Sequence, residues 1–203
     1  LIEIEPRELT PELLRASILR HGCLLVRGLI DRSEAIRLAE GIERAFEARA
    51  RLSAGESVAE GYYEEFEPER PYRVAEREWI EMGGGVLAVD SPVVVAEMFR
   101  ALEPIDFVGT VRDYLGDPAF ISAQKTTLRK AEPSVVGAWH QDGAFMGDVR
   151  SINLWLSLSR CGDEAPGLDM VPRRLDGFVE TGGEGTMIPN QVSQATAERR
   201  EEP

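Results

Sequence analysis

Trp139-His140-Gln141-Asp142-Gly143 is the stretch on which the fold and chemistry of this 203-residue chain are read. In an extended strand successive side chains alternate faces, so His140 and Asp142 point one way while Trp139 and Gln141 point the other. An imidazole nitrogen and a carboxylate oxygen then converge on one point. Together they supply two corners of the two-histidine, one-carboxylate face with which non-haem Fe(II) oxygenases hold their metal. The same triplet recurs in ordinary surface turns, so its weight comes from what flanks it.

Outward from this stretch, strand-like runs separated by Gly and Pro turns occupy 119–129, 138–145, 149–158 and 168–172. Phe145 and Met146, just past the His-x-Asp pair, are candidate walls of a substrate pocket or ordinary core. Upstream the period is helical. Thr10-Pro11-Glu12 joins an N-cap hydroxyl to a proline at the first helical position, and Gly22 ends that helix. Cys23-Leu24-Leu25-Val26 reads as a buried strand closed by Gly28. Asp31 and Glu34 make a capping-box-like start for a second helix, whose Ala35, Leu38, Ala39, Ile42, Ala45 and Phe46 recur at helical spacing. Two more helices are predicted over 91–102 and 105–115. Residues 50–78 interrupt this order with Gly, Glu, Arg and the aromatic group Tyr62, Tyr63, Phe66 and Tyr72, as either a charged surface loop or a lid over substrate. Helices first and strands later, without βαβ alternation, predict an α+β chain, mainly β. An antiparallel β core would be buttressed by N-terminal helices within a single domain spanning 1–203.

Composition narrows the partners. With 43% hydrophobic residues the chain can bury a core, while a net charge of −13 and a pI near 4.7 repel nucleic acid and anionic membrane alike. No apolar run reaches the roughly 20 residues that span a bilayer. Cys23 and Cys161 are far apart and lack CxxC spacing, which fits a reducing cytoplasm rather than a disulfide framework. All but Lys125 and Lys130 of the 23 basic residues are Arg, a bias that fits a high-GC bacterial source.

Three further stretches join the His-x-Asp motif: Asn153-Leu154-Trp155-Leu156-Ser157-Leu158, Pro166-Gly167-Leu168-Asp169-Met170-Val171-Pro172, and Gly22 through Leu29 near the N-terminus. In order and spacing the chain resembles the phytanoyl-CoA dioxygenase-like family of Fe(II)/2-oxoglutarate oxygenases over about four-fifths of its length. The resemblance implies a double-stranded β-helix (jelly roll), with Fe(II) on His140 and Asp142 and 2-oxoglutarate as co-substrate. It implies O2-dependent hydroxylation of a small organic molecule, as 2-oxoglutarate is decarboxylated to succinate and CO2. Asp142 favours hydroxylation over halogenation, because related halogenases lack that carboxylate. Trp155 matches the tryptophan beside 2-oxoglutarate, and Asn153 shares its face. On the preceding strand, one register turns Gln124 toward substrate and Thr126 toward the co-substrate; the other offers Lys125 and Arg129 to a carboxylate.

The resemblance stops short in one respect. His21 and His140 are the only histidines, and His21 reads as a helix-capping residue. The family's second metal-binding His and the Arg that clamps 2-oxoglutarate have no counterpart after Asp142. Arg173 and Arg174 come too early, and Arg199 and Arg200 lie in a polar tail. The expectation is therefore a jelly roll whose last strands are missing from the sequence. The alternative is a catalytically inactive binding module of the same fold.

Overall fold

The N-terminal helices form where the sequence places their caps. In α1 (Pro11–His21) Thr10 Oγ1 accepts the Leu13 N–H at 3.1 Å, and Gly22 closes the helix at φ 73°, a left-handed conformation that glycine adopts without strain. A Cβ there would also lie 3.0 Å from the Arg173 carbonyl oxygen, so glycine lets the 171–174 turn approach. The short strands β1 (Glu3–Ile4) and β2 (Leu25–Val26) flank α1 and pair in parallel, Glu3 with Leu25 and Ile4 with Val26. Asp31 caps α2 (Arg32–Ser53) through Ser33 N at 2.8 Å. Glu34 turns instead to an ion pair with Arg37, so the expected capping box is only half realised.

The computed structural model describes residues 2–58, 60–67, 69, 77–123, 125–131, 137–146, 148–163, 165–182 and 191–199. Gln124 and Tyr72 lie outside them. The core is built around α2 and α4 (Pro92–Leu102), which meet where Gly41 faces Val94. Helix α3 (Arg77–Met82) leads into β3 (Gly85–Leu87), which pairs antiparallel with β4 (Thr127–Arg129), Val86 opposite Leu128. Ala45, Ala88, Val94 and Leu128 form one buried cluster; Ala48, Tyr63 and Val86 form a second. Helix α5 (Phe107–Leu115) packs on α1, with Arg15 Nη2 donating to the Asp113 and Tyr114 carbonyls at 3.1 and 3.0 Å.

A carboxylate sits inside this core. Asp90, 1% exposed, accepts from Phe66 N–H at 2.7 Å and from Arg77 Nε at 3.0 Å, while its carbonyl takes the Glu64 N–H at 2.8 Å. The 61–67 part of the candidate lid is thereby fastened to the core, with its Tyr63 buried against Ala48 and Val86.

The mainly-β jelly roll expected from the sequence is overturned. Among the described residues 44% are helical and 6% lie in strands, arranged as two two-stranded sheets with no barrel. The strand expected over 119–129 shrinks to Thr127–Arg129. The one over 138–145 ends in a single helical turn, α6 (Gly143–Met146), and 149–158 and 168–172 hold no strand. The physical reason is that alternation specifies which face is apolar, not which strand lies alongside, and a strand exists only in a ladder. Leu154, Trp155, Leu168 and Met170, which a barrel would bury in part, are exposed here. Helix α7 (Gln194–Glu198), capped by Ser193, lies in the stretch read as a polar tail.

Candidate functional site

Without a strand ladder, the alternation over 139–142 is nevertheless kept. His140 Nδ1 lies 2.7 Å from the Ala138 carbonyl oxygen, which requires the proton on Nδ1 and leaves Nε2 as the lone-pair nitrogen of the neutral ring. Nε2 is 3.3 Å from Asp142 Oδ1. The other carboxylate oxygen, Oδ2, accepts from Asn153 Nδ2 at 2.5 Å. Both members of the pair are about half exposed, open to solute from the solvent side.

Each charge supports the other. The Asp142 carboxylate raises the His140 imidazole above its ordinary pKa, with burial opposing and the Ala138 carbonyl adding to the rise. His140 holds Asp142 below the usual carboxylate range, against burial and with help from the Asn153 amide and the charge of Lys125.

The odd-numbered face is held from the other side. Val192 N donates to the Trp139 carbonyl at 2.7 Å, Trp139 Nε1 to Gln194 Oε1 at 2.6 Å, and Val179 N to Gln141 Oε1 at 2.6 Å. The Phe178 ring lies against Gly143, 3.1 Å from where a Cβ would stand. Trp139 and Gln141 thus tie this stretch to Val179, Val192 and Gln194, while the side chains of His140 and Asp142 approach each other. Their part was missed in the sequence, although the same period of two that aligned His140 with Asp142 carried the signal.

The remaining expected site residues divide. Asn153 joins the pair directly, and Lys125 reaches it through its charge. Arg129 also bears on His140, lowering its proton affinity. Thr126 is engaged elsewhere, its Oγ1 donating to the Ser122 carbonyl at 2.8 Å. Trp155 is 49% exposed, an open indole rather than a core aromatic. Phe145 falls in α6, and Gln124 is outside the described residues. His21 ends α1 as the sequence suggested, and Arg174 pairs with Asp176 at 3.1 Å.

Two ligands on adjacent corners of a metal's shell, with bonds of about 2.1 Å, lie about 3.0 Å apart. The 3.3 Å separation of Nε2 and Oδ1 is close to that spacing, and a ring nitrogen anchored to a carbonyl is the usual support for a ligating histidine. The pair therefore fits a divalent metal. Among the described residues no group of three or more His, Cys, Asp and Glu side chains assembles, so these types give no third ligand. No helix among those residues is long and apolar enough to cross a membrane. No family model, curated protein or solved structure matches the chain.

Proposed function

We propose that the chain is an Fe(II)- and 2-oxoglutarate-dependent oxygenase that hydroxylates a small organic molecule, with the metal held by His140 and Asp142. The observation that carries this reading is the 3.3 Å approach of Nε2 to Oδ1 in a tautomer fixed by the Ala138 carbonyl. When bound, Fe(II) would activate O2, the oxidant, with 2-oxoglutarate and the substrate C–H each giving two electrons: one oxygen atom leaves in succinate as CO2 is lost, and the other becomes the product hydroxyl.

The chain's own residues have simpler tasks. His140 presents Nε2 to the metal and Asp142 neutralises one of its charges. The Ala138 carbonyl keeps the Nδ1 proton, so the ring does not turn. Lys125 and Arg129, whose charges bear on the pair, suit the carboxylates of 2-oxoglutarate. Trp155 and Leu154, exposed beside Asn153, offer an apolar surface to substrate.

The test is succinate formation from 2-oxoglutarate with Fe(II) and a reductant. Wild type should turn over, even slowly and uncoupled from substrate, and Asp142→Ala and His140→Ala should each abolish it. No succinate above background from folded wild type, at saturating Fe(II), sinks the proposal. A second reading, a binding module without catalysis, is favoured by the openness of the site: no barrel encloses the pair among the described residues. It predicts that both alanine variants still capture a partner that wild type captures.

A further inference from the structure

We infer that Asn153 is the third protein ligand of the metal, through its side-chain oxygen. This rests on the metal reading of His140 and Asp142 and supplies the donor that the histidine count leaves missing. The Asp142 carboxylate is flanked on both sides: imidazole Nε2 stands 3.3 Å from Oδ1, and the Asn153 amide stands 2.5 Å from Oδ2. A cation seated before the carboxylate has the imidazole on one side and the amide on the other.

Without a metal, the amide must turn its NH2 toward Oδ2, because two oxygens at that distance repel. The carbonyl oxygen and the NH2 exchange places by a half-turn about χ2, which moves no other atom. With a cation in place the preference reverses, and Oδ1 of Asn153 becomes the donor. The resulting set is one nitrogen and two or three oxygens, carrying a single negative charge, with positions left for small ligands. Such oxygen-rich sets suit hard or borderline divalent ions such as Mn(II) and Fe(II). Asn153 is exposed, so the half-turn costs no repacking.

The rival role for Asn153 is donation alone, an N–H that merely steadies the ligating carboxylate. Loss of such a support also weakens metal binding, by about 10- to 100-fold, so Asn153→Ala cannot separate the two roles. Asn153→Asp does. It keeps an oxygen ligand and loses the N–H donor.

The experiment is anaerobic Mn(II) titration of the full chain, followed by electron paramagnetic resonance, for wild type, Asn153→Ala and Asn153→Asp. Circular dichroism of the metal-free proteins confirms folding. Ligation predicts a loss of at least about tenfold for Asn153→Ala, while Asn153→Asp binds as tightly as wild type or tighter. A direct readout accompanies it: wild type labelled with 13C at asparagine Cγ should show a 13C–Mn(II) hyperfine coupling that Asn153→Asp lacks. Weakening in Asn153→Asp as great as in Asn153→Ala, with no 13C coupling in wild type, overturns the inference and leaves the two-ligand reading standing. Wild type that binds no Mn(II) overturns both.

Discussion

The described residues of 2–131 and those of 137–182 are stabilised in different ways. In the first region helices carry their own backbone hydrogen bonds, and side chains such as Leu38, Leu87 and Val94 are almost wholly buried. The second runs largely without helix or strand, and leaves Val149, Leu154, Trp155, Leu168, Met170 and Phe178 exposed. Yet the second carries the pair proposed to hold a metal, kept in place by individual hydrogen bonds with Asn153, Val179, Val192 and Gln194. On the proposed reading stability and chemistry are separable: substitutions in the first region should change unfolding, and substitutions in the second should change metal binding.

The largest expected break is at Asp90. Replacing it with Ala removes the acceptor of Phe66 N–H and the buried partner of Arg77, leaving the guanidinium the Phe66 carbonyl at 2.8 Å and the exposed Glu65 and Glu67 at 3.4 and 3.8 Å. Losing one partner of a buried pair costs about 3–5 kcal/mol, and denaturant unfolding should show that loss with metal affinity at His140 and Asp142 little changed in the folded fraction. Equal loss of both would mean that the two regions fold as one unit.

Tyr63 tests the same core by pH. Burial, then the charge of Asp90, pushes its phenol from 10.0 up to about 12. A folded-state pKa raised above the unfolded one gives stability that is complete below pH 10 and disappears as pH climbs toward 12. The loss should reach about 2 kcal/mol, and Tyr63→Phe should flatten that part of the alkaline limb in a stability–pH series. An unchanged alkaline limb in Tyr63→Phe would show that the phenol ionises as readily folded as unfolded.

What was legible in the sequence follows the same division. Thr10, Pro11, Gly22 and Asp31 mark helix ends by local chemistry, and the structure forms those ends as read. The strands expected over 138–145, 149–158 and 168–172 were read from alternation, which is a property of one segment, whereas pairing is a property of two. The His140–Asp142 approach was legible because it depends only on an extended backbone across three residues. The ties of Trp139 to Gln194 and of Gln141 to Val179 were not: the period of two puts Trp139 and Gln141 on one face, but what that face meets lies far away in sequence. Asp90 was missed for a related reason: one Asp before Ser91-Pro92 looks like part of a helix start, and its burial follows only once the 63–66 loop and α3 fold over it.

A smaller effect of opposite sign is expected at Gly41. Glycine inside a helix is unfavourable by about 0.5–1 kcal/mol relative to alanine. An added Cβ would lie 3.6 Å from Val94 Cγ2, an ordinary contact, and 3.2 Å from Glu97 Oε2, the free-swinging end of a side chain. Glu97 is also 3.4 Å from Arg37, so a small shift of its carboxylate weakens an ion pair that is partly exposed. Gly41→Ala should therefore raise stability by about 0.5 kcal/mol, read as a small upward shift in Tm. A drop would mean that α2 and α4 need the closer approach that glycine permits.

The smallest expected effect sharpens the comparison most. Leu154 is 44% exposed and Phe178 is 66% exposed, so serine at either position removes little buried apolar area. Surface changes of this kind stay within about 0.5 kcal/mol, and thermal unfolding of Leu154→Ser and Phe178→Ser should overlay that of wild type. The same variants bear on the proposed function, because Leu154 adjoins Asn153 in sequence and Phe178 rests on Gly143, the neighbour of Asp142. A change in substrate preference or turnover without a change in Tm would place the exposed apolar side chains in recognition. A fall of several degrees in Tm would instead show that residues 137–182 bury these side chains in solution, and the contrast between a packed region and an open one would disappear.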